Sequence, residues 1–144
     1  MTRMKWFLPA LILAAAAAVS PGETRHGSTA ETTGDTAARG KYIVEDVVMC
    51  EQCHTRRDEN GQPDRGNWLT GGPVQIKPTY PSPDWAVRAP RIAGGPPGTK
   101  ADFIRLMTTG IARTGHPPRP PMLQLHMTRE DAEDVYAYLK SLAP

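Results

Sequence analysis

Between residues 60 and 98 the chain carries 15 Gly or Pro among 39 positions, and a stretch so heavily punctuated cannot be regular helix or sheet. Irregular segments of this length are uncommon inside a compact domain unless they serve a site or wrap around something. The rest of the chain offers little to wrap. Of 144 residues only 6% are aromatic and 39% hydrophobic, which allows one small domain with a modest core. For so short a folded part, apolar burial set against chain entropy comes out near balance, so a metal, a cofactor or a covalent staple is expected to add stability. A large apolar group at the centre satisfies both demands.

The first residues are not expected to contribute to the fold. Arg3 and Lys5 precede an apolar run from Trp6 to Val19, broken only by Pro9, and the alanines at 14–18 suit a signal peptidase. Residues 1–20 are therefore read as a secretory signal, with cleavage expected after Ala18. The apolar run is short of the roughly 20 residues that span a bilayer, so a membrane association is expected only if the signal is retained as an anchor. Residues 21–35, rich in Gly, Ser, Thr and charge, read as a flexible linker that leaves His26 solvated. Residues 36–144 form the expected domain. The net charge of +2 comes from 17 basic and 15 acidic residues, and loss of Arg3 and Lys5 leaves 15 of each. No polybasic run marks nucleic acid or an anionic membrane as a partner.

Three main helices are predicted, which makes the fold class all-α. The first runs from Thr36 to about Met49, with Ile43, Val44, Val47 and Val48 at helical spacing. The second opens on a capping box, Thr99 with Asp102, and stops at Gly110. The third has Thr128 as N-cap, Glu130 and Asp131 in its first turn, and an apolar face of Ala132, Val135, Tyr136, Leu139 and Leu142.

The two cysteines of the chain lie in Cys50-Glu51-Gln52-Cys53-His54, the CxxCH spacing that attaches haem c. Two thiols three residues apart can each bond one vinyl group, and the adjacent His54 is then delivered to the iron as the proximal ligand. Two non-haem readings compete. A thiol-disulfide oxidoreductase would want Cys50 activated at a helix start within a βαβ unit. A small zinc module would need further ligands, for which His116 and His126 remain. For the distal face of a haem the candidates are Met107, Met122, Met127, His116 and His126. Met107 reads as core and Met127 as a staple before Thr128. Met122, in a loop stiffened by Pro117, Pro118, Pro120 and Pro121, is preferred as the distal ligand, with the two histidines as the bis-His alternative.

From about Ala37 to Leu142 the chain resembles the monohaem class I cytochromes c of bacteria. The resemblance rests on Gly40 and Tyr42 before CxxCH, the Gly/Pro-rich middle, Thr109-Gly110, Pro120-Pro121-Met122, and Tyr136-Ala137-Tyr138-Leu139 in an acidic-start last helix. It implies a small fold wrapped around one covalent haem c, with Met122 distal, although Leu123 stands where the family commonly has Pro. It also implies that the first and last helices cross closely, Gly40 with Tyr42 or Ile43 meeting Tyr136 and Leu139. A backbone carbonyl, from Pro63 or Pro73, is expected to accept the His54 ring N–H. Trp68, Trp85 and Ile92 are candidates to pack on the haem or near its propionates.

The function implied is that of an exported, periplasmic electron carrier rather than an enzyme: outer-sphere one-electron transfer, as a shuttle or as acceptor or subunit of a dehydrogenase or oxidase chain. Partners are expected to be redox proteins met transiently, with Arg113 and Arg119 flanking the contact. An enzyme acting on oxygen or peroxide would require Met122 to be displaceable, and no separate acid, base or substrate pocket is evident.

Overall fold

The computed structural model describes residues 33–143; the signal segment 1–20 and most of the expected linker, His26 included, lie outside the described residues. Four α-helices follow one another: α1 (Thr33–Tyr42), α2 (Glu51–His54), α3 (Lys100–Thr109) and α4 (Arg129–Ser141). Among the described residues α1 covers Thr33–Tyr42, so residues 33–35, expected to be linker, are helical.

The first helix does not continue unbroken to Met49. It passes at Ile43–Val47 into a π-helical turn, in which the Val48 N–H reaches back to the Ile43 carbonyl at 2.8 Å. Met49 then takes a left-handed conformation (φ 54°), and the Cys50 N–H donates to the Val44 carbonyl at 2.9 Å. This reversal starts α2, a single turn that carries the CxxCH residues. α3 and α4 fall where expected. Thr99 and Asp102 complete a reciprocal capping box, Gly110 closes α3 at φ 70°, and the Thr128 hydroxyl accepts the Asp131 N–H at 3.1 Å.

α1 and α4 cross at Gly40. A methyl group on Gly40 would overlap the Asp134 carbonyl and stand 2.9 Å from Tyr138 Cβ. The receiving residues are thus Asp134 and Tyr138, not Tyr136 and Leu139, and Tyr42 is 58% exposed and takes no part. α4 is turned so that Tyr138 is buried on the α1 side while Tyr136 rests on Phe103 of α3, ring centroids 5.7 Å apart. Arg39 binds Asp131 and, at 3.2 Å, Asp134 across the same crossing. The guanidinium holds the Asp131 carboxyl below the usual carboxylate range, whereas burial raises that of Asp134.

The chain between α2 and α3 is irregular apart from a 3-10 turn at Arg65–Asn67 and a two-residue antiparallel pair, β1 (Gly72–Pro73) with β2 (Arg88–Ala89). One core unites the elements, with Val44, Leu69, Ala132, Val135 and Leu139 all almost fully enclosed. Gly40→Ala forces the α1–α4 crossing apart; in urea unfolding it is expected to lose about 2–3 kcal/mol, the cost of overpacking a tight site, and a variant as stable as the parent would contradict the crossing.

Candidate functional site

A cavity of about 450 Å³ lies between the helices and the irregular chain, lined mainly by apolar side chains. Cys50, Cys53 and His54 form part of its wall, with Val44 and Val48 of the first helical segment beside them. α3 supplies Phe103, Leu106 and Met107, α4 supplies Val135 and Leu139, and the irregular segment supplies Ile92. Met122 and Met127 line it from the segment between α3 and α4. Met49 lies on the rim and is half exposed.

His54 is buried, and its Nδ1 lies 2.8 Å from the Pro90 carbonyl oxygen. A carbonyl only accepts, so Nδ1 carries the proton and Nε2 is left with its lone pair, the arrangement of a metal-ligating imidazole held by an outer partner. Burial lowers the proton affinity of the ring and keeps it neutral, with the Pro90 bond opposing in part. The expected partners, Pro63 and Pro73, are corrected to Pro90. Pro63 is instead bridged to Arg57, and Pro73 is taken up in the β1–β2 pair.

Gly71 makes the Pro90 contact attainable. It donates its N–H to the His54 carbonyl at 2.7 Å, and at φ 83° a Cβ there would come within 2.8 Å of the Pro90 carbonyl carbon and 2.7 Å of the Ala89 oxygen. Thr55, buried beside it, accepts the Leu69 N–H at 2.9 Å. The segments after α2 and before α3 are thereby stacked directly against the histidine.

The thiols are not poised for exchange chemistry. Burial, with Glu51 adding to it, pushes the Cys50 thiol up to about 12, and burial raises that of Cys53 against the pull of Arg57. A reactive thiol needs the opposite shift. Among the described residues no three His, Cys, Asp or Glu side chains are grouped to hold a metal ion, and His116 and His126 are both exposed and absent from the cavity wall. The donors fit a haem instead: two thiols and a singly protonated imidazole on one wall, thioethers on others, and an apolar interior between.

The remaining expectations divide. Met107 is buried in the core and also faces the cavity, as does the half-buried Met127. Ile92 lines the cavity, but Trp68 and Trp85 do not. Trp68 lies under the Arg65 guanidinium, 3.7 Å from its ring centroid, and the Trp85 indole donates to the Ile76 carbonyl at 2.9 Å. Arg113 and Arg119 line the cavity, as does Arg88, which the sequence did not single out. Gly71 and Pro90 were also missed. Gly71→Ala must move the Pro90 peptide, and is expected to cost about 2–4 kcal/mol through positive φ and overpacking together; thermal unfolding that matches the parent would sink this role.

Residues 37–143 match the Cytochrome c family. A stretch of 35 residues, 24% of this chain, is 49% identical to a protein of Cereibacter sphaeroides described as a diheme cytochrome c-type protein, and the match spans 12% of that protein's length. With CxxCH on the wall of an apolar cavity, the imidazole held through Nδ1 and the family matched over most of its length, the chain belongs to the cytochrome c family, the covalent haem c proteins of electron transfer.

Proposed function

We propose that the chain is an exported, periplasmic electron carrier that holds one haem c through Cys50 and Cys53, with His54 as proximal and Met122 as distal ligand. The observation that carries the ligand assignment is the shared cavity: Met122 lines it together with His54, while His116 and His126 are exposed away from it. Met107 and Met127 also face the cavity; Met107 is read as packing because it is buried in the core, and Met127 because it immediately precedes the Thr128 cap. A single CxxCH and two cysteines support one haem.

Bound haem supplies a one-electron ferric/ferrous couple. His54, fixed by Pro90, would hold the haem as a neutral imidazole, and the soft Met122 thioether would favour the ferrous state over what a second imidazole would give. The apolar lining excludes water and penalises the extra charge of the ferric state, in the same direction. A haem held by both His54 and Met122 would have no position free for a substrate, so transfer would be outer-sphere. Among the described residues no helix is long and apolar enough to cross a membrane. The signal-like residues 1–20 support an exported chain released by cleavage of its leader.

Partners are redox proteins met briefly at the cavity mouth, where Met49 and Leu123 expose apolar surface and Arg88 and Arg113 expose charge. A small patch of this kind suits weak electron-transfer encounters, with steering from local charge because the processed chain is formally neutral.

In the visible spectrum of the ferric protein, Met122→Ala is expected to abolish the weak far-red thioether band and to lower the potential, whereas His116→Ala and His126→Ala leave both intact. A potential in the bis-imidazole range for the parent would overturn the Met122 assignment. Reversing Arg88 and Arg113 to Glu is expected to change the sign or slope of the salt dependence of electron transfer to a charged partner; an unaltered dependence removes them from the contact.

A further inference from the structure

Four prolines at 117, 118, 120 and 121 remove backbone donors from the segment that carries Met122, so a ladder of its own cannot hold it. Support arrives from a different part of the chain. Arg119 donates through Nε to the Asp84 carbonyl at 2.9 Å and through Nη2 to the Trp85 carbonyl at 3.1 Å. The next residue of each segment adds a bond in the reverse sense, the Ala86 N–H donating to the Pro120 carbonyl at 2.6 Å. The Arg119 carbonyl in turn accepts the Met122 N–H at 3.2 Å. One residue thus grips the neighbouring segment with its side chain and Met122 with its backbone.

The gripped segment is itself braced. Residues 84–86 are the return leg of an excursion closed by the Val74 N–H on the Val87 carbonyl at 3.0 Å and by the Trp85 indole on the Ile76 carbonyl. Val74 and Ala86, at its two ends, line the cavity. Arg119 therefore joins the Met122 segment to the wall of the cavity rather than reaching outward alone.

We propose that Arg119 is the positioning residue for Met122: its guanidinium clasps the 84–85 carbonyls, holds the ligand segment against the cavity, and so sets how readily Met122 gives way to an external ligand. This rests on Met122 being the distal ligand. Two carbonyls in succession call for a planar fork of donors, which arginine has and lysine lacks. Arg113, a cation on the same rim, is the natural control, because a role in surface charge alone would affect both residues alike.

The test is an imidazole titration of the ferric holoprotein, with the far-red band followed against pH. Arg119→Gln is expected to bind imidazole about fivefold or more tightly than the parent, since the lost charged hydrogen bonds no longer resist opening of the segment, and to lose the band at lower pH. Arg119→Lys should fall between, and Arg113→Gln should match the parent. If Arg119→Gln fails to hold haem, the lysine variant carries the comparison. Parent-like affinity and band in the Arg119 variants, or an equal shift in Arg113→Gln, overturns the clasp while leaving Met122 in place. A parent protein without the far-red band, or a Met122→Ala variant with unchanged imidazole affinity, overturns the distal assignment and the clasp with it.

Discussion

The imidazole of His54 is held by a carbonyl 36 residues downstream, and much of the irregular chain is arranged so that this bond can form. Closing so long a loop costs entropy that one hydrogen bond does not recover. The contact persists because other interactions share the closure. Gly71 donates to the His54 carbonyl, Thr55 takes the Leu69 N–H, and both the Ile92 and Ala93 amides donate to the Leu69 carbonyl. Leu69 itself is fully enclosed at φ 56°, a left-handed conformation that the packing around it maintains. The Gly/Pro-rich stretch is consequently a set of short clamps around one histidine, with little regular structure of its own.

A second constraint sits on the far side of the same helices. Glu45, in the π-helical turn, accepts from the Tyr138 hydroxyl of α4 and pairs with Arg65, whose guanidinium covers Trp68. Burial together with the Glu45 contact pushes the Tyr138 hydroxyl up to about 12, while Tyr138 and Arg65 hold the Glu45 carboxyl low against its burial. This group ties the turn that precedes CxxCH to α4 and to the loop, and none of its members lines the cavity. The π-helical turn therefore has partners on both faces, Ile43 and Val44 toward the cavity and Glu45 away from it. Its geometry decides where Cys50 begins, and through Cys50 where His54 stands.

The two walls of the cavity are built by different means. On the histidine side the donors sit on one helical turn, so their relative placement is local and stiff. On the methionine side the chain is held by prolines that restrict its backbone and by bonds to residues 84–86, which are distant in sequence. The first wall is as rigid as α2; the second depends on how well two irregular segments hold each other.

CxxCH, the capping box at Thr99, the cap at Thr128 and the glycine stop at Gly110 were all readable in the sequence, because each depends on residues within about one helical turn of one another. The preference for Met122 came from the prolines adjacent to it, and the proposed function keeps it. Identifying Pro90 as the histidine's partner, Asp134 and Tyr138 as the residues facing Gly40, and residues 84–85 as the support for Arg119 required the fold. Those pairs are separated by dozens of residues, and neither composition nor periodicity encodes which carbonyl meets which donor. Where Trp68 and Trp85 sit was hidden for the same reason: neither lines the cavity, Trp68 lying beneath Arg65 and Trp85 donating to the Ile76 carbonyl. Local chemistry is written in the order of residues, whereas long-range pairing is chosen by which packing of the whole chain leaves the fewest buried polar groups without partners.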